Sequence, residues 1–253
     1  MTTRMNPFLS VVIPTYNEAN RIEKTLLALK NFLDTQSLEW ELIISDDGST
    51  DATCTKVAAL TKELPQAKLI ASEHGGKGRA LKTGISHSSG EYIFLFDADM
   101  SMPVNQLLRF LPPYLESFDI AIGSRNIPGS RKFMEPWIRS IQGRIFNKLV
   151  QLIAIGGISD TQCGFKCLRA TTLQPLVENL QIDGFAFDVE LLMSAHQRGL
   201  NIVEVPIDWF HITGSRVRPF VDPITMLRDL IRLRYRRFST RETHDNSHGE
   251  QPH

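Results

Sequence analysis

Short apolar runs alternate with stretches of helical periodicity along the first half of the chain. The runs are rich in β-branched and aromatic residues, and each closes on Pro, Gly, Asp or Ser, as buried strands do. They predict strands at 9–13, 41–45, 68–71, 92–96 and 120–123. The first two runs are separated by apolar residues at the spacing of one helix face, namely Ile22, Leu26, Leu29 and Leu33. Strands that alternate with helices predict an α/β fold with a mostly parallel central sheet flanked by helices.

The pattern becomes less regular farther along the chain. Pro103 opens a further helical stretch, and longer periodic segments predict helices at 136–155 and 188–198. Short strands are predicted at 164–168 and 201–207. We expect three parts, which are a catalytic domain over 1–222, a basic amphipathic helix over 223–241 and a disordered tail over 242–253.

Composition fits one globular domain and narrows the possible partners. The chain has 253 residues, 42% of them hydrophobic, and its formal net charge is zero. A neutral chain offers no general electrostatic footprint for nucleic acid, so we expect no nucleic-acid partner. Its three cysteines lack the C-x-x-C spacing of a zinc site or a disulfide framework, which favours a reducing, cytoplasmic setting. We expect neither a signal peptide nor a membrane span, because the apolar run 149–158 is shorter than the ~20 residues that a span needs.

Two polar clusters follow the first two predicted strands. In open parallel sheets ligands bind at the carboxyl ends of strands, so these positions carry weight. Pro14, Tyr16 and Glu18 belong to the first cluster, where a nucleobase could stack on the tyrosine; the alternative is a turn in which Asn17 caps a helix. The second cluster contains Asp46 and Asp47, and begins the run Asp46-Asp47-Gly48-Ser49-Thr50-Asp51. Its carboxylates could accept hydrogen bonds from a base or ribose, or could simply belong to a tight turn.

A glycine-rich cluster follows the third strand, with the sequence Gly75-Gly76-Lys77-Gly78-Arg79. Glycines let a backbone approach a ligand closely, and Lys77 and Arg79 add the cations that phosphate recognition requires. The alternative is a flexible surface turn. Neither the phosphate loop of nucleoside triphosphatases nor the dinucleotide fingerprint G-x-G-x-x-G is present, which argues against kinases and dehydrogenases.

The fourth cluster ends the apolar strand 92–96 with Asp97-Ala98-Asp99. Strand alternation would point both carboxylates the same way, where they repel each other unless a cation lies between them. A divalent ion, Mg²⁺ or Mn²⁺, held together with a diphosphate would satisfy both carboxylates. The alternative is an Asp-rich turn ahead of Pro103.

Together the four clusters resemble the GT-A inverting glycosyltransferases of family 2. Three strings farther along resemble the dolichyl-phosphate β-glucosyltransferases in particular, and these are Ser159-Asp160-Thr161-Gln162-Cys163-Gly164-Phe165-Lys166, Phe185-Ala186-Phe187-Asp188-Val189-Glu190-Leu191-Leu192 and Glu204-Val205-Pro206. The resemblance spans roughly residues 9–237. It implies inverting transfer of a hexose from a nucleotide sugar to a polyprenyl phosphate, with UDP-glucose favoured and GDP-mannose as the alternative donor.

The resemblance also implies roles for individual residues. The nucleotide sugar would be held by Pro14, Tyr16, Glu18, Asp46, Asp47, Lys77, Arg79, Asp97 and Asp99. Asp97 and Asp99 would in addition bind the metal. Arg125 and Arg139 would contact the lipid phosphate, with Arg131 as a rival for the role of Arg139.

Three other functions are also compatible with the sequence. If the acceptor is a sugar hydroxyl, Asp160 becomes the candidate catalytic base. A nucleotidyltransferase shares strand-end carboxylates, and a nucleotide-sugar sensor would bind the donor without turning it over.

The C-terminal sequence suggests a membrane partner. From Pro223 apolar residues alternate with Arg228, Arg232, Arg234 and further arginines, a pattern suited to an anionic lipid surface. The alternative is a docked helix with a solvated basic face. We expect the chain to lack the N-terminal membrane anchor of the eukaryotic glucosyltransferases and to be a cytoplasmic protein that binds the cytoplasmic membrane face peripherally.

Overall fold

The computed structural model describes residues 6–134, 136–212 and 221–245, without the side chains of 138–142 and 234–245. Seven strands form one sheet in the order β3-β2-β1-β4-β7-β5-β8. They are β1 (Leu9–Thr15), β2 (Trp40–Asp47), β3 (Ala67–Ser72), β4 (Tyr92–Leu95), β5 (Ile120–Ser124), β7 (Lys166–Arg169) and β8 (Ile202–Pro206). All pairings in this sheet are parallel except those of β7, which runs antiparallel to both β4 and β5. The predicted α/β class with a mostly parallel sheet is confirmed.

Helices cover both faces of the sheet, and a second, two-stranded sheet lies beside it. The helices are α1 (Ile22–Leu33), α2 (Thr53–Glu63), α3 (Lys77–Ser86), a 3₁₀ helix (Val104–Phe110), α4 (Trp137–Ile153), α5 (Ala170–Val177), α6 (Phe187–Gln197) and α7 (Val221–Asp245). The small sheet pairs β6 (Arg131–Phe133) with β9 (Asp208–Phe210) in parallel.

The core forms two layers, one on each face of the main sheet. Alternate residues of β1 separate into them, with Val11 and Ile13 in one layer and Val12 in the other. The layer of Val11 includes α1 and the 3₁₀ helix, and the layer of Val12 includes α3, α5, α6 and α7. Strands β1, β2, β4 and β5 are buried almost throughout, which explains why they appear in the sequence as continuous apolar runs.

Strand order fixes where a ligand can enter. The chain places β2 and β3 on one side of β1 and returns to place β4 on the other. A crevice opens at such a reversal, outside the carboxyl ends of the strands. Tyr16 follows β1 and Asp97 follows β4, so two of the predicted clusters meet at this crevice.

The C-terminal helix is longer than predicted at both ends. It begins at Val221, inside the predicted catalytic domain, and continues to Asp245, inside the predicted tail. The rest of that tail, 246–253, lies outside the described residues. Over the described part of the chain, no helix is both long and apolar enough to span a bilayer.

Candidate active site

A cavity of about 170 Å³ opens beside the carboxyl end of β4. Its described walls come from seven separate parts of the chain, which is why no single motif describes it. The lining residues are Lys77, Asp97, Asp99, Ser101, Met102, Arg125, Gln162, Cys163, Gly164, Phe185, Asp188, Trp209 and Met226. The cavity therefore joins the acidic motif to cations from two other elements.

Asp97 and Asp99 both line the cavity, as the sequence predicted. The strand itself ends at Leu95, and Met100 has a φ of 55°, so a turn rather than strand alternation brings the two carboxylates to one side. The Lys77 Nζ atom donates to the Asp97 Oδ1 atom at 2.8 Å. The backbone N–H of Ser101 donates to the Asp99 Oδ1 atom at 2.9 Å.

Charge at the acidic motif is balanced by nearby cations. Burial alone would raise the pKa of Asp97, but Lys77, Lys166 and Arg125 outweigh it and hold that pKa below its ordinary value. Burial would likewise lower the pKa of Lys77, and the carboxylates of Asp97 and Asp188 reverse the sign. Asp97 and Lys77 are consequently both ionised at neutral pH.

The glycine-rich cluster differs from the predicted phosphate loop. The backbone N–H groups of Gly75 and Gly76 both donate to the Asp47 Oδ1 atom, at 2.8 and 3.0 Å. Gly76 has a φ of 113°, and a Cβ atom there would come within 2.5 Å of the Asp183 carbonyl oxygen. These amides are thus already bound within the protein, and the glycines allow α3 to pack against the backbone around Asp183.

The two cations of that cluster lie apart. Lys77 reaches the cavity of the acidic motif, whereas Arg79 is exposed and lines a separate cavity together with Lys82 and Asp183. One turn of α3 points them in different directions. The expectation that Lys77 and Arg79 face one ligand together therefore does not match the structure.

Asp46 and Asn17 fasten two loops to each other. Asp46, 1% exposed, accepts hydrogen bonds from the Thr15 hydroxyl at 2.9 Å and from the Ser49 hydroxyl at 2.6 Å. The Asn17 Oδ1 atom accepts from the backbone N–H of Thr50 at 2.8 Å. Because α1 begins only at Ile22, Asn17 links the loops after β1 and β2 and does not cap α1.

Tyr16 and Glu18 have protein partners in this structure. The Tyr16 ring stacks on the His74 ring, with centroids 4.4 Å apart. His74 is held in turn by Asp47, whose Oδ2 atom lies 2.8 Å from Nδ1. Glu18 pairs with Arg21, and Pro14 is half-buried within β1. Tyr16 therefore lies at the crevice with one ring face covered by a histidine.

Asp160 holds Arg125 in a two-pronged ion pair. The Nε and Nη2 atoms of Arg125 donate to the two carboxylate oxygens at 2.7 and 2.8 Å, and the Arg125 backbone N–H donates to Oδ2 at 2.9 Å. Burial would raise the pKa of Asp160, but Arg125 and Lys166 hold it below the ordinary value. Trp209 lies under the guanidinium, 5.5 Å from ring centroid to Cζ. Asp160 thus orients Arg125 toward the cavity, and this geometry disfavours Asp160 as a base.

Arg131, one of the other two predicted arginines, lies away from the described cavity lining. Arg131 is exposed and pairs with Asp208 across the small sheet, at 2.6 Å. Arg139 lies on α4, and its side chain is outside the described residues. Arg125 is therefore the predicted acceptor-binding arginine whose position at the cavity can be described.

Sequence reasoning missed several residues of the site. Lys166, fully buried, donates to the Asp188 Oδ1 atom at 2.7 Å, and Asp188 lines the cavity. The pKa of Arg21 is raised, first by its hydrogen bond to Glu18 and further by Asp99 and Asp97, so this cation also lies near the acidic motif. A lysine inside an otherwise apolar strand was the one available signal for Lys166, because a buried charge requires a partner.

A mostly parallel sheet with an acidic pair and cations at the carboxyl ends of its strands is the arrangement of GT-A glycosyltransferases. Comparison with family models is specific: the chain belongs to glycosyl transferase family 2, whose model matches residues 10–175. This confirms the resemblance drawn from the four clusters.

Curated relatives narrow the similarity further. The chain is 34% identical over 245 residues to the dolichyl-phosphate β-glucosyltransferase of Dictyostelium discoideum, covering 91% of this chain and 75% of that protein. It is 33% identical over 244 residues to the human enzyme of the same name, with 90% and 75% covered. Among solved structures, glucosyl-3-phosphoglycerate synthase from Mycobacterium tuberculosis in complex with UDP superposes with a TM-score of 0.64 at 22% identity, covering 89% of this chain and 78% of that one. At that identity the superposition shows the fold.

Proposed function

We propose that the protein transfers glucose, with inversion, from UDP-glucose to a polyprenyl phosphate of the dolichyl type. The observation that carries the proposal is that three of the carboxylates described in or beside the cavity, those of Asp97, Asp160 and Asp188, are each paired with a cation and are therefore poorly suited to remove a proton. Asp97 and Asp160 have lowered pKa values, and Asp188 is bound to Lys166. A phosphate acceptor is already ionised at neutral pH and needs no proton removed, whereas a sugar hydroxyl does.

The donor assignment follows the relatives. Proteins named dolichyl-phosphate β-glucosyltransferase cover about nine-tenths of this chain at 34% identity, including those of D. discoideum and Saccharomyces cerevisiae. The fold neighbour glucosyl-3-phosphoglycerate synthase has been crystallised with Mn²⁺ and UDP-glucose. GDP-mannose is the competing donor.

Each predicted residue then has a defined task. Tyr16 and the loop fastened by Asp46 would take the nucleoside, with Pro14 and Glu18 shaping the loop. Lys77 would neutralise the leaving diphosphate, while Asp47 holds the turn that places it. Arg125, aimed by Asp160, would align the acceptor phosphate opposite the leaving group, with Arg139 as the second contact. Arg79, in its separate cavity, would need to move to reach the same ligand.

The acidic motif fits a divalent cation only in part. Among the described residues no three His, Cys, Asp or Glu side chains converge on one point. Asp97 and Asp99 supply hard oxygen ligands, which Mg²⁺ and Mn²⁺ prefer, and a bound diphosphate would supply others. Such an ion would stabilise negative charge on the departing diphosphate.

The test follows UDP release and lipid product together. The purified protein is incubated with Mn²⁺ or Mg²⁺, UDP-glucose or GDP-mannose, and a short polyprenyl phosphate. We expect glucose on the lipid, abolished in Asp99→Ala and retained in the surface control Glu23→Ala. UDP release without a lipid product would overturn the acceptor, and mannose transfer alone would overturn the donor.

A surface near the cavity fits the membrane that a polyprenyl acceptor requires. We define the apolar face as the exposed residues Trp137, Ile145, Leu149 and Leu152 of α4 with Val221, Ile224 and Ile231 of α7. The spacings within each helix place these residues on one stripe. Exposed Arg144 and Lys148 on α4, and Arg228 and Arg232 on α7, border the stripes.

The two stripes lie on neighbouring helices next to the site. Helix α4 packs against α7, and Met226 of α7 lines the cavity itself. Apolar side chains bordered by cations match a bilayer that contains anionic lipid. We therefore propose that the apolar face binds such a bilayer and brings the acceptor phosphate to Arg125.

Vesicle sedimentation tests this surface. We expect binding to vesicles of phosphatidylcholine with phosphatidylserine, and weaker binding to phosphatidylcholine alone. Leu152→Ser combined with Ile224→Ser should reduce the binding at least several-fold, whereas Leu27→Ser, an exposed leucine of α1, should not. Equal loss in both variants, or no loss in either, would contradict the proposal.

A further inference from the structure

The size of the cavity limits what it can hold. The cavity has a volume of about 170 Å³. Pockets that hold whole drug-sized ligands run from roughly 300 to 1,000 Å³. The cavity is smaller than such pockets, and we take it to receive a small part of the donor, such as one sugar ring.

Most polar groups around this space already have protein partners. Lys77 pairs with Asp97, Arg125 with Asp160, and Asp188 with Lys166. Asp99 accepts from the Ser101 backbone N–H. These contacts set the charge of the cavity but leave little free hydrogen-bonding capacity on its walls.

Gln162 is a lining residue with a polar side-chain atom that has no partner among the described residues. Its Nε2 atom is buried and makes no hydrogen bond to any described residue. A buried amide donor normally has a partner, and one that lines a cavity points to a ligand.

The neighbours of Gln162 hold it in place. Thr161 is buried and donates to the Asn147 Oδ1 atom at 3.3 Å, and Cys163 is buried on the other side. Gly164 packs directly on the Asp97 carboxylate. The segment is therefore fixed between the Arg125–Asp160 pair and the acidic motif, with Gln162 among the residues that line the cavity.

We infer that Gln162 is a specificity-determining residue that donates a hydrogen bond to a hydroxyl of the transferred hexose. The inference rests on the proposed function, because it takes the hexose of the donor to occupy this cavity. A polar wall group that binds one hydroxyl discriminates against a sugar that lacks it, since the group is then left without a partner.

Binding measurements with two ligands test the inference without an acceptor. UDP and UDP-glucose are titrated into the wild-type protein and into Gln162→Met, which keeps the shape of the side chain. We expect UDP-glucose to bind about tenfold or more weakly to the variant, and UDP to bind equally to both. Equal weakening of UDP and UDP-glucose, or weakening of neither, would overturn the inference.

Two further readouts separate a sugar contact from a structural role. We expect one of the UDP-glucose analogues that each lack a single hydroxyl to bind the wild type more weakly than UDP-glucose does. That analogue should bind Gln162→Met with the same affinity as it binds the wild type. The Tm of the variant should be unchanged or higher, because a buried donor without a partner is removed. A lower Tm would mean that Gln162 has a structural role. The same conclusion would follow if the variant bound every analogue more weakly than the wild type does.

Failure of the proposed function would give a different result from failure of the inference about Gln162. A wild-type protein that binds UDP-glucose but makes no lipid product would overturn the acceptor and leave the Gln162 comparison intact. A wild-type protein that binds only GDP-mannose would overturn the donor, and GDP with GDP-mannose would then decide the role of Gln162 in the same way.

Discussion

The orientation of Arg125 is fixed by Asp160, because the two carboxylate oxygens accept hydrogen bonds from the Nε and Nη2 atoms of the guanidinium. We expect Asp160→Asn to lower kcat at least tenfold. An amide has one oxygen and cannot accept both charged hydrogen bonds, so the Arg125 side chain is no longer held in its orientation toward the cavity. The pH dependence of the remaining activity should keep its shape, because Asp160 removes no proton in the proposed reaction. Steady-state rates measured between about pH 5 and about pH 9 give both kcat and its pH dependence.

Arg125→Lys provides the companion variant. It keeps the charge and loses the two-pronged geometry, so it should show a similar loss. If the pH profile of Asp160→Asn no longer showed the fall in rate at acidic pH, Asp160 would instead be the base for a hydroxyl acceptor.

Gly164 lies against the acidic motif with no room for a side chain. A Cβ atom there would come within 2.0 Å of the Asp97 Oδ2 atom. We expect Gly164→Ala to displace Asp97, to weaken donor binding and to lower the free energy of unfolding by about 1–3 kcal/mol.

The matched control is Gly156→Ala, where a Cβ atom would meet nothing within 4 Å. It should leave donor binding unchanged. Titration calorimetry and urea unfolding of both variants measure the contrast, and wild-type donor affinity in Gly164→Ala would refute the argument.

Residue types predicted the region of the site better than they predicted individual contacts. Asp97, Asp99, Lys77 and Arg125 do meet at one cavity. The roles of Asp47 and the glycines could not be read from the sequence, because a carboxylate that binds a neighbouring turn looks the same as one that awaits a ligand. Arg79 was misplaced since the cluster forms the first turn of α3, which separates it from Lys77.

At the level of elements, α7 shows how one helix serves two environments. Leu230 is fully buried and its neighbour Ile231 is 40% exposed. We expect Leu230→Ala to lower the free energy of unfolding by about 2–5 kcal/mol, because it leaves a cavity under the helix.

Ile231→Ala is the adjacent control and should change stability by well under half as much. Urea denaturation measures the two side by side. Equal and small effects would mean that α7 is not docked on the core in solution.

Elements with strong apolar periodicity were predictable, and short or glycine-containing ones were not. The strands of the first half lie within a few residues of the predicted bounds, and α6 ends before Gly199, whose φ of 70° suits the end of a helix. The glycine-rich cluster 75–79 was interpreted as a phosphate-binding cluster or a flexible surface turn, whereas Lys77 begins α3, whose glycines are kept by close packing. Strands β6 and β9 have three residues each, too few for a periodic signal.

For the whole molecule, stability should depend on pH through buried carboxylates. Burial alone would raise the pKa values of Asp97, Asp160 and Glu41, but their cationic and hydrogen-bonding partners bring all three below the ordinary values of 3.8 and 4.5. A pKa that is lower in the folded state contributes stability above the unfolded value and loses it as the pH falls through the folded value. We expect the free energy of unfolding to change little above about pH 5 and to fall steadily below about pH 4.

Urea unfolding at a series of pH values measures this dependence. Lys68→Met, which removes the partner that lies 2.9 Å from Glu41, should make the acidic decline shallower. A stability that stayed constant or rose on acidification would contradict the assignment of these ion pairs.

The position of β7 has a consequence for synthesis of the chain. Strand β7 is made after β5 but lies between β4 and β5, so the β4 edge has no neighbour on that side until residue 169 has left the ribosome. Until then an apolar strand edge is open to pairing with other chains, a hazard for slowly emerging sheets. Any fragment that ends before β7 would carry a four-stranded sheet and an unpaired β5, and its expression would be expected to yield aggregates rather than a smaller working enzyme.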